Sequence, residues 1–333
     1  MSKDISKIYV TGSAGMIGST LCATLLAQGH DVVGVDNLWR GSTANMADFL
    51  EHPRFSFRHA DIAADRDWYI DMDADSVIVH TADIVAGIGY VFSNEWAIFQ
   101  KNVLINTQIA RLVREYKPRQ LIYLGTACSY PQGLQRSVDD SVLRESLKFP
   151  ADPESGYGWS KLIGEIEFSL ALQNAPTQLT VLDLHNVYGW PCVYDQPTSQ
   201  VIPSLINKAL TSTDGSISVW GNGMQGRAFL HVRDVVAGVT KAIGLTGEKR
   251  NIMLGPDHCT TIRTVAELIL EHPGVRVETI NYDTSKPTGD IGRFADTTVA
   301  RDVLGWEVSV PFREGLHELI DQVIDHRSKN SRA

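Results

Sequence analysis

Positive charge is scarce in this 333-residue chain: 30 Lys and Arg stand against 39 Asp and Glu, a net charge of −9. The basic residues are scattered, which argues against nucleic acid as a partner but leaves room for a local basic pocket that holds a small anion. Cysteine is scarcer still. Cys22, Cys128, Cys192 and Cys259 lie far apart with no CxxC pair, so neither a disulfide framework nor a zinc or other metal site is expected. No apolar run approaches the ~20 residues of a membrane span, and no apolar signal region opens the chain. A cytoplasmic protein without membrane contact is the expectation. Internal repeats and low-complexity linkers are also missing. What remains is ordinary globular composition, 43% hydrophobic and 21% charged, with length enough for two lobes.

Lys7-Ile8-Tyr9-Val10 reads as a strand, Leu21 to Gln28 as a helix closed by Gly29, and Asp31 to Asp36 as a second strand. The opening is therefore βαβ. Further apolar runs at Ser76 to His80, Gln120 to Leu124 and Thr180 to Leu184 alternate with helical stretches at Asn94 to Tyr116 and around Lys161. That alternation predicts an α/β, Rossmann-type doubly wound parallel sheet covered on both faces. After Tyr188-Gly189 the texture changes: Pro191, Pro197 and Pro203 punctuate a loop-rich stretch, followed by helical spacing at Ile202 to Leu210 and Val265 to Leu270. Phe229 to Leu245 reads as a strand and helix returning to the sheet. The expected division is residues 1–185 plus about 229–248 for the sheet lobe, and 186–228 plus 249–330 for a smaller, discontinuous α/β substrate-binding lobe.

Gly12, Gly15 and Gly18, with Met16 and Ile17 between them, form a GxxGxxG turn between the first strand and first helix. Glycines at this place let the backbone approach a pyrophosphate, whose charge then meets the positive helix N-terminus. Asp36, with Asn37 beside it, ends the second strand. A carboxylate there suits the adenosine ribose and repels a 2′-phosphate, favouring NAD over NADP; Arg40 is the counter-signal, a cation able to pair with such a phosphate. Asp61-Ile62 follows the third strand and suits the adenine end.

Tyr157 and Lys161 stand four apart at the opening of a helix, on one face of it. An unperturbed tyrosine titrates near pH ~10, and a neighbouring cation favours the phenolate. The pair therefore predicts a general base usable at neutral pH.

These residues resemble the extended short-chain dehydrogenase/reductase family, which includes the NAD-dependent nucleotide-sugar epimerases and dehydratases. The resemblance rests on TGSAGMIG, the Thr126 segment and the tyrosine–lysine pair about 30 residues later, and runs through Arg227 to His231 and on to Leu304-Gly305-Trp306. It implies that Tyr157 is the acid/base for a sugar hydroxyl, that Lys161 lowers its pKa and holds the nicotinamide ribose, and that Thr126 supports the same hydroxyl. Gly125-Thr126-Ala127-Cys128-Ser129-Tyr130-Pro131 is most similar to the subgroup containing GDP-mannose 3,5-epimerase and GDP-fucose synthase. The 4,6-dehydratases carry an Asp–Glu pair where Ala127 and Cys128 stand, which argues against dehydration. Ala82 to Tyr90, including Gly87, resembles the epimerase's substrate loop. Ser199 to Pro203, including Val201, and Ser285-Lys286-Pro287 resemble the synthase.

Cys128 decides the chemistry. Oxidation at C4 acidifies the C3 and C5 protons of a sugar, and a thiol with an ordinary pKa near ~8.5 removes such a proton when a cation stands beside it. A small apolar core residue is the alternative. Cys22 reads as core, and Cys259 has no assigned role. The subgroup's second acid has no counterpart: Pro191 replaces the synthase's His, and no Lys follows as in the epimerase. Cys192, Asp195 and His185 are the stand-ins. On the substrate side, Asn186 matches the family's sugar-contacting Asn and Arg227 its pyrophosphate clamp. Lys286 and Arg293 are further phosphate partners, and Trp220 is an aromatic face for a base, or else core. The expectation is an NAD-dependent epimerase of a GDP-linked hexose or heptose, favoured over a UDP-sugar, working through a transient 4-keto sugar. A C4 dehydrogenase/reductase and a non-catalytic nucleotide-sensing protein remain the alternatives. The resemblance also implies a homodimer through the Asn94 to Tyr116 and Tyr157 to Leu172 helices.

Overall fold

A computed structural model describes residues 5–247, 250–286 and 291–330. Seven parallel strands form the main sheet: β1 (Ile8–Thr11), β2 (Val32–Asp36), β3 (Phe55–His59), β4 (Val77–His80), β5 (Gln120–Thr126), β6 (Gln178–Leu184) and β7 (Arg250–Leu254), in the order β7-β6-β5-β4-β1-β2-β3. The side chains of β1, β4 and β5 are buried throughout, as continuous apolar strands with helices on both faces must be. Helices α1 (Met16–Ala27) and α4 (Val232–Ala242) cover one face, through Leu21, Leu25, Val235 and Val239. Helices α2 (Glu95–Tyr116) and α3 (Gly156–Ala171) cover the other, through Ile105, Ile109, Leu112 and Phe168. The strand order reverses at β1, between β4 and β2. At such a reversal the loops leaving the carboxyl ends diverge and open a crevice.

A third core lies beyond the sheet. Ile202 and Ile206 of the helix Val201–Thr211 meet Val265 and Ile269 of Ile262–Leu270 and Leu316 and Ile320 of Phe312–Asn330. The last helix forms in a stretch to which the sequence reading assigns no element. Its Leu316, Leu319, Ile320 and Val323 recur at helical spacing and are buried together.

Two stretches pack with the main sheet rather than with the C-terminal lobe to which their place in the chain assigns them. Arg250–Leu254 pairs in parallel with β6, and Ala300, Leu304 and Trp306 sit in the core beneath α1 and α4. Trp306 Nε1 donates to Asp234 O of α4 at 2.8 Å. Burying this indole beside β7 removes more apolar surface from water than an exposed position in the lobe would. Pro287, part of the predicted substrate-side run, lies outside the described residues.

Candidate active site

The carboxyl ends of the sheet open onto a cavity of about 1220 Å³, larger than the ~300–1,000 Å³ typical of a single small-ligand site. There is room for two ligands end to end.

At one end lies the glycine turn. A Cβ on Gly18 would stand 2.1 Å from Gly12 O, so only glycine lets α1 start this close to β1. Gly15 is the N-cap of α1 and supplies no side-chain cap, which leaves the first-turn amides facing the cavity for an anion. Asp36 closes this end, accepting from Ala14 N at 3.0 Å and Leu38 N at 2.7 Å. Burial raises its pKa against the pull of those amides. Asp61 pairs with Lys101 at 2.7 Å. Gly12, Gly15, Met16, Ile17, Gly18, Asp36, Asn37, Asp61 and Ile62 all line the cavity. A tight glycine turn, an uncapped helix start and a carboxylate at the end of β2 fit a dinucleotide. Arg40, the counter-signal for a 2′-phosphate, is half-buried and donates Nη1 to Val85 O in the Ala82 to Tyr90 loop.

The middle of the cavity carries the reactive groups. Thr126 ends β5, and its Oγ1 accepts from Cys128 N at 3.2 Å, capping the short turn Ala127–Ser129. Ser155 caps α3 through Gly158 N. A Cβ on Gly158 would lie 2.2 Å from Cys128 O. That missing side chain lets the start of α3, carrying Tyr157, press against the cysteine turn. Arg293 Nη2 donates to Cys128 Sγ at 3.0 Å. The predicted phosphate partner is thus the cation beside the thiol, the neighbour that proton abstraction by cysteine requires. Cys259 lies in the same patch, its Sγ donating to Arg293 O at 3.3 Å. Cys22 is buried in the main core, as expected.

The tyrosine–lysine pair has a third partner, Asp83. Lys161 Nζ pairs with Asp83 Oδ2 at 3.1 Å and sits over the Tyr123 ring at 4.4 Å. The Tyr157 phenol has the same carboxylate as a hydrogen-bond partner. Its pKa stands well above the ordinary tyrosine value, through burial first and then the charges of Asp83 and Cys128. A lysine already engaged by a carboxylate gives a phenol little help. Asp83 is the residue that sequence reasoning passed over, although it lies inside the quoted loop run. The available signal was its place three residues after His80, the last residue of β4, where α/β sheets present ligand-facing groups.

On the substrate side, Gly87, Asn186, Val201, Trp220, Arg227 and Arg293 line the cavity. Trp220 is 39% exposed, which rules out core packing. Lys286 is exposed and is not part of the cavity lining. Among the stand-ins for the second acid, His185 is buried, and burial together with Arg293 pushes its imidazole down to about 3. It is therefore neutral at pH 7, so no imidazolium is on hand there as an acid. Burial pushes the Cys192 thiol up to about 12, so this one is held protonated at the cavity wall. Asp195 is exposed at the same wall.

The fold and the cavity together define an α/β enzyme that binds a dinucleotide beside a second ligand. The chain belongs to the NAD dependent epimerase/dehydratase family, whose match covers residues 8–255, and NAD is its cofactor. Among relatives, GDP-mannose 3,5-epimerase 1 of Oryza sativa subsp. indica is 27% identical over 311 residues, covering 93% of this chain and 79% of that one. A putative UDP-glucose 4-epimerase of Methanocaldococcus jannaschii is 28% identical over 320 residues, covering 94% and 97%. In structure, the UDP-glucose 4-epimerase of Thermotoga maritima with UDP-glucose superposes with a TM-score of 0.83 at 23% identity, covering 96% of this chain and 99% of that one. Among the described residues no cluster of His, Cys, Asp and Glu suits a metal, and no helix is long and apolar enough to cross a membrane.

Proposed function

We propose that this enzyme epimerises a GDP-linked sugar through a transient 4-keto intermediate. The observation that carries this reading is Cys128, held by Arg293 at 3.0 Å and pressed against the Tyr157 helix in one cavity. Oxidation and reduction at C4 alone need one proton-handling group, whereas epimerisation at an adjacent carbon needs a second. In this reading Gly12, Gly15 and Gly18 cradle the NAD pyrophosphate, Asp36 takes the adenosine ribose, and Asp61 and Ile62 border the adenine. The nicotinamide supplies hydride acceptance and return at C4. Tyr157 moves the C4 hydroxyl proton, with Thr126 holding that hydroxyl. Cys128 removes the acidified proton at C3 or C5, and Cys192, kept protonated by burial, is the acid on hand to replace it. Arg227 and Asn186 hold the pyrophosphate and the sugar. The exposed face of Trp220 supports a purine base, which offers the larger stacking area.

The test is nuclear magnetic resonance of GDP-mannose incubated with the enzyme in D₂O. Deuterium at C3 or C5 is expected, and Cys128→Ser should abolish that label while leaving C4 oxidation measurable. Reduced-nicotinamide absorbance without any solvent deuterium would instead establish a C4 dehydrogenase/reductase. Turnover of UDP-sugars only, in a parallel panel, would overturn the assignment of the base.

The same reading includes a homodimer. Trp96 and Leu104 on α2 and Ile166 and Leu170 on α3 are exposed apolar side chains on two helices that pack side by side, the kind of patch an interface covers. Sedimentation velocity should give a dimer for the wild type and a monomer for Leu170→Glu. A monomeric wild type would end this part of the reading.

A further inference from the structure

The buried carboxylate of Asp83 stands between the two residues that the reading above makes the acid/base and its helper, and nothing so far gives it a task. Its side chain is 9% exposed, and that of its partner Lys161 is 5% exposed. The loop that carries it is fastened from two sides. Ile84 N donates to Asn102 Oδ1 at 2.8 Å, and Asn102 Nδ2 returns to Ile84 O at 3.2 Å and to Ser160 Oγ on α3 at 3.4 Å. Asp83 is therefore held against Tyr157 and Lys161 by the helices α2 and α3. Its charged surroundings can be named element by element. Tyr157 and Lys161 come from α3 and Tyr123 from β5; one step further out, Cys128 of the turn after β5 and Arg40 of the loop after β2 act on Tyr157, and His80 of β4 faces Lys161. His80 is neutral, pushed down to about 3 by burial and then by Lys161.

We propose that Asp83 is the positioning residue that stores the proton of Tyr157, so that the phenolate base forms by transfer inside the site rather than by loss of a proton to solvent. This rests on the acid/base reading of Tyr157. The step balances within three side chains. The Tyr157 O–H bond breaks and an O–H bond forms on Asp83. The trio passes from ammonium, carboxylate and phenol to ammonium, carboxylic acid and phenolate. Net charge is zero before and after, so no uncompensated charge is left in a buried site, where it would be costly. Lys161, released from a carboxylate that is now neutral, has the phenolate as its counter-ion. The substrate hydroxyl proton then passes to Tyr157, and both protons return when the hydroxyl is restored.

The consequence is a difference in pH dependence. A base made by internal transfer is present at a constant fraction across neutral pH. A base made by loss to solvent falls about tenfold per pH unit below the phenol's pKa. The experiment compares wild type, Asp83→Asn and Asp83→Glu, each carrying Cys128→Ser, by the pH profile of C4 oxidation read as reduced-nicotinamide absorbance, so that the second base does not enter the profile. It also follows tyrosinate absorbance on titration of the NAD-bound protein without sugar, with Tyr157→Phe subtracted to isolate the one phenol. Expected are a flat wild-type profile through neutrality and an Asp83→Asn profile that climbs with slope one. In Asp83→Asn, tyrosinate should also appear at lower pH, because the opposing carboxylate is gone. Asp83→Glu, which keeps a carboxylate, should restore the flat profile and serves as the test if Asp83→Asn does not fold. Loss of rate with an unchanged flat profile overturns the proposal, since Asp83 is then only structural. So does a tyrosinate titration that overlays wild type. The titration needs no sugar turnover, so it still decides the role of Asp83 if every nucleotide sugar proves inert and the function reading fails.

Discussion

Tyr157→Phe should lower kcat on the sugar substrate by ~10²–10⁴-fold, the range that a positioned acid/base contributes, with little change in melting temperature or NAD affinity. The ring itself packs beside Ile84, Val91 and Ile98, and phenylalanine keeps those contacts. Only the hydroxyl goes, and Asp83 retains its ion pair with Lys161 at 3.1 Å. No buried charge is orphaned. Steady-state kinetics together with calorimetry check this result. A variant within a few-fold of wild-type kcat would take Tyr157 out of the chemistry, and the roles given to Asp83 and Lys161 with it.

Lys148→Met is expected to destabilise the fold by about 3–5 kcal/mol, the usual cost of removing one partner from a buried ionic cluster. Lys148 Nζ lies 2.6 Å from both Glu165 Oε2 and Asp183 Oδ2, and all three side chains are nearly fully buried. Tyr130 OH donates to Asp183 Oδ2 at 3.1 Å, and Asn251 Nδ2 to Glu165 Oε1 at 2.7 Å. The cluster therefore ties the end of the cysteine turn, α3, β6 and β7 to one ammonium. Burial works against that charge, but Asp183 and Glu165 together hold the lysine pKa above its usual value. The pH dependence of the variant carries a sign. Burial and Glu165 raise Asp183 above its unfolded pKa even with the lysine opposing them, and removing the lysine raises it further. The folded variant then binds more protons than the unfolded chain, so its stability falls as pH rises through the window above ~4 and recovers toward acid. Denaturant melts at several pH values check it. A loss that is the same at every pH would mean that the carboxylates do not carry the cost.

Most of the sheet is legible in the sequence because its strands are continuous apolar runs separated by helical periods. The glycine turn declares itself because tight backbone approach admits few residue types. The seventh strand is harder to read. Arg250–Leu254 follows the lobe in the chain, and only its pairing with β6 reveals where it belongs. Within the site, residues within a few positions of a motif are readable: Thr126 and Cys128 share a turn, and Tyr157 and Lys161 share a helix face. Contacts across long separations are not. Arg293 reaches Cys128 across 165 residues, and no local pattern distinguishes an arginine that meets a thiol from one that meets a phosphate. Asp83 escaped for a different reason. A carboxylate after a strand is common, and its importance comes from burial between two groups on α3, which spacing along the chain does not encode.

The late arrival of β7 bears on how the chain comes off the ribosome. Strand β6 ends at Leu184 and acquires its outer neighbour only with Arg250–Leu254, and Trp306, which completes the core on the α1 and α4 face, comes later still. For the seconds that synthesis of the intervening residues takes, β6 presents an apolar edge with unpaired backbone groups, the feature through which nascent chains pair wrongly. Closing this edge also depends on contacts distant in sequence, which form slowly. The interval between β6 and β7 is therefore when the sheet edge is open to wrong pairing, and slower translation across it lengthens the exposure.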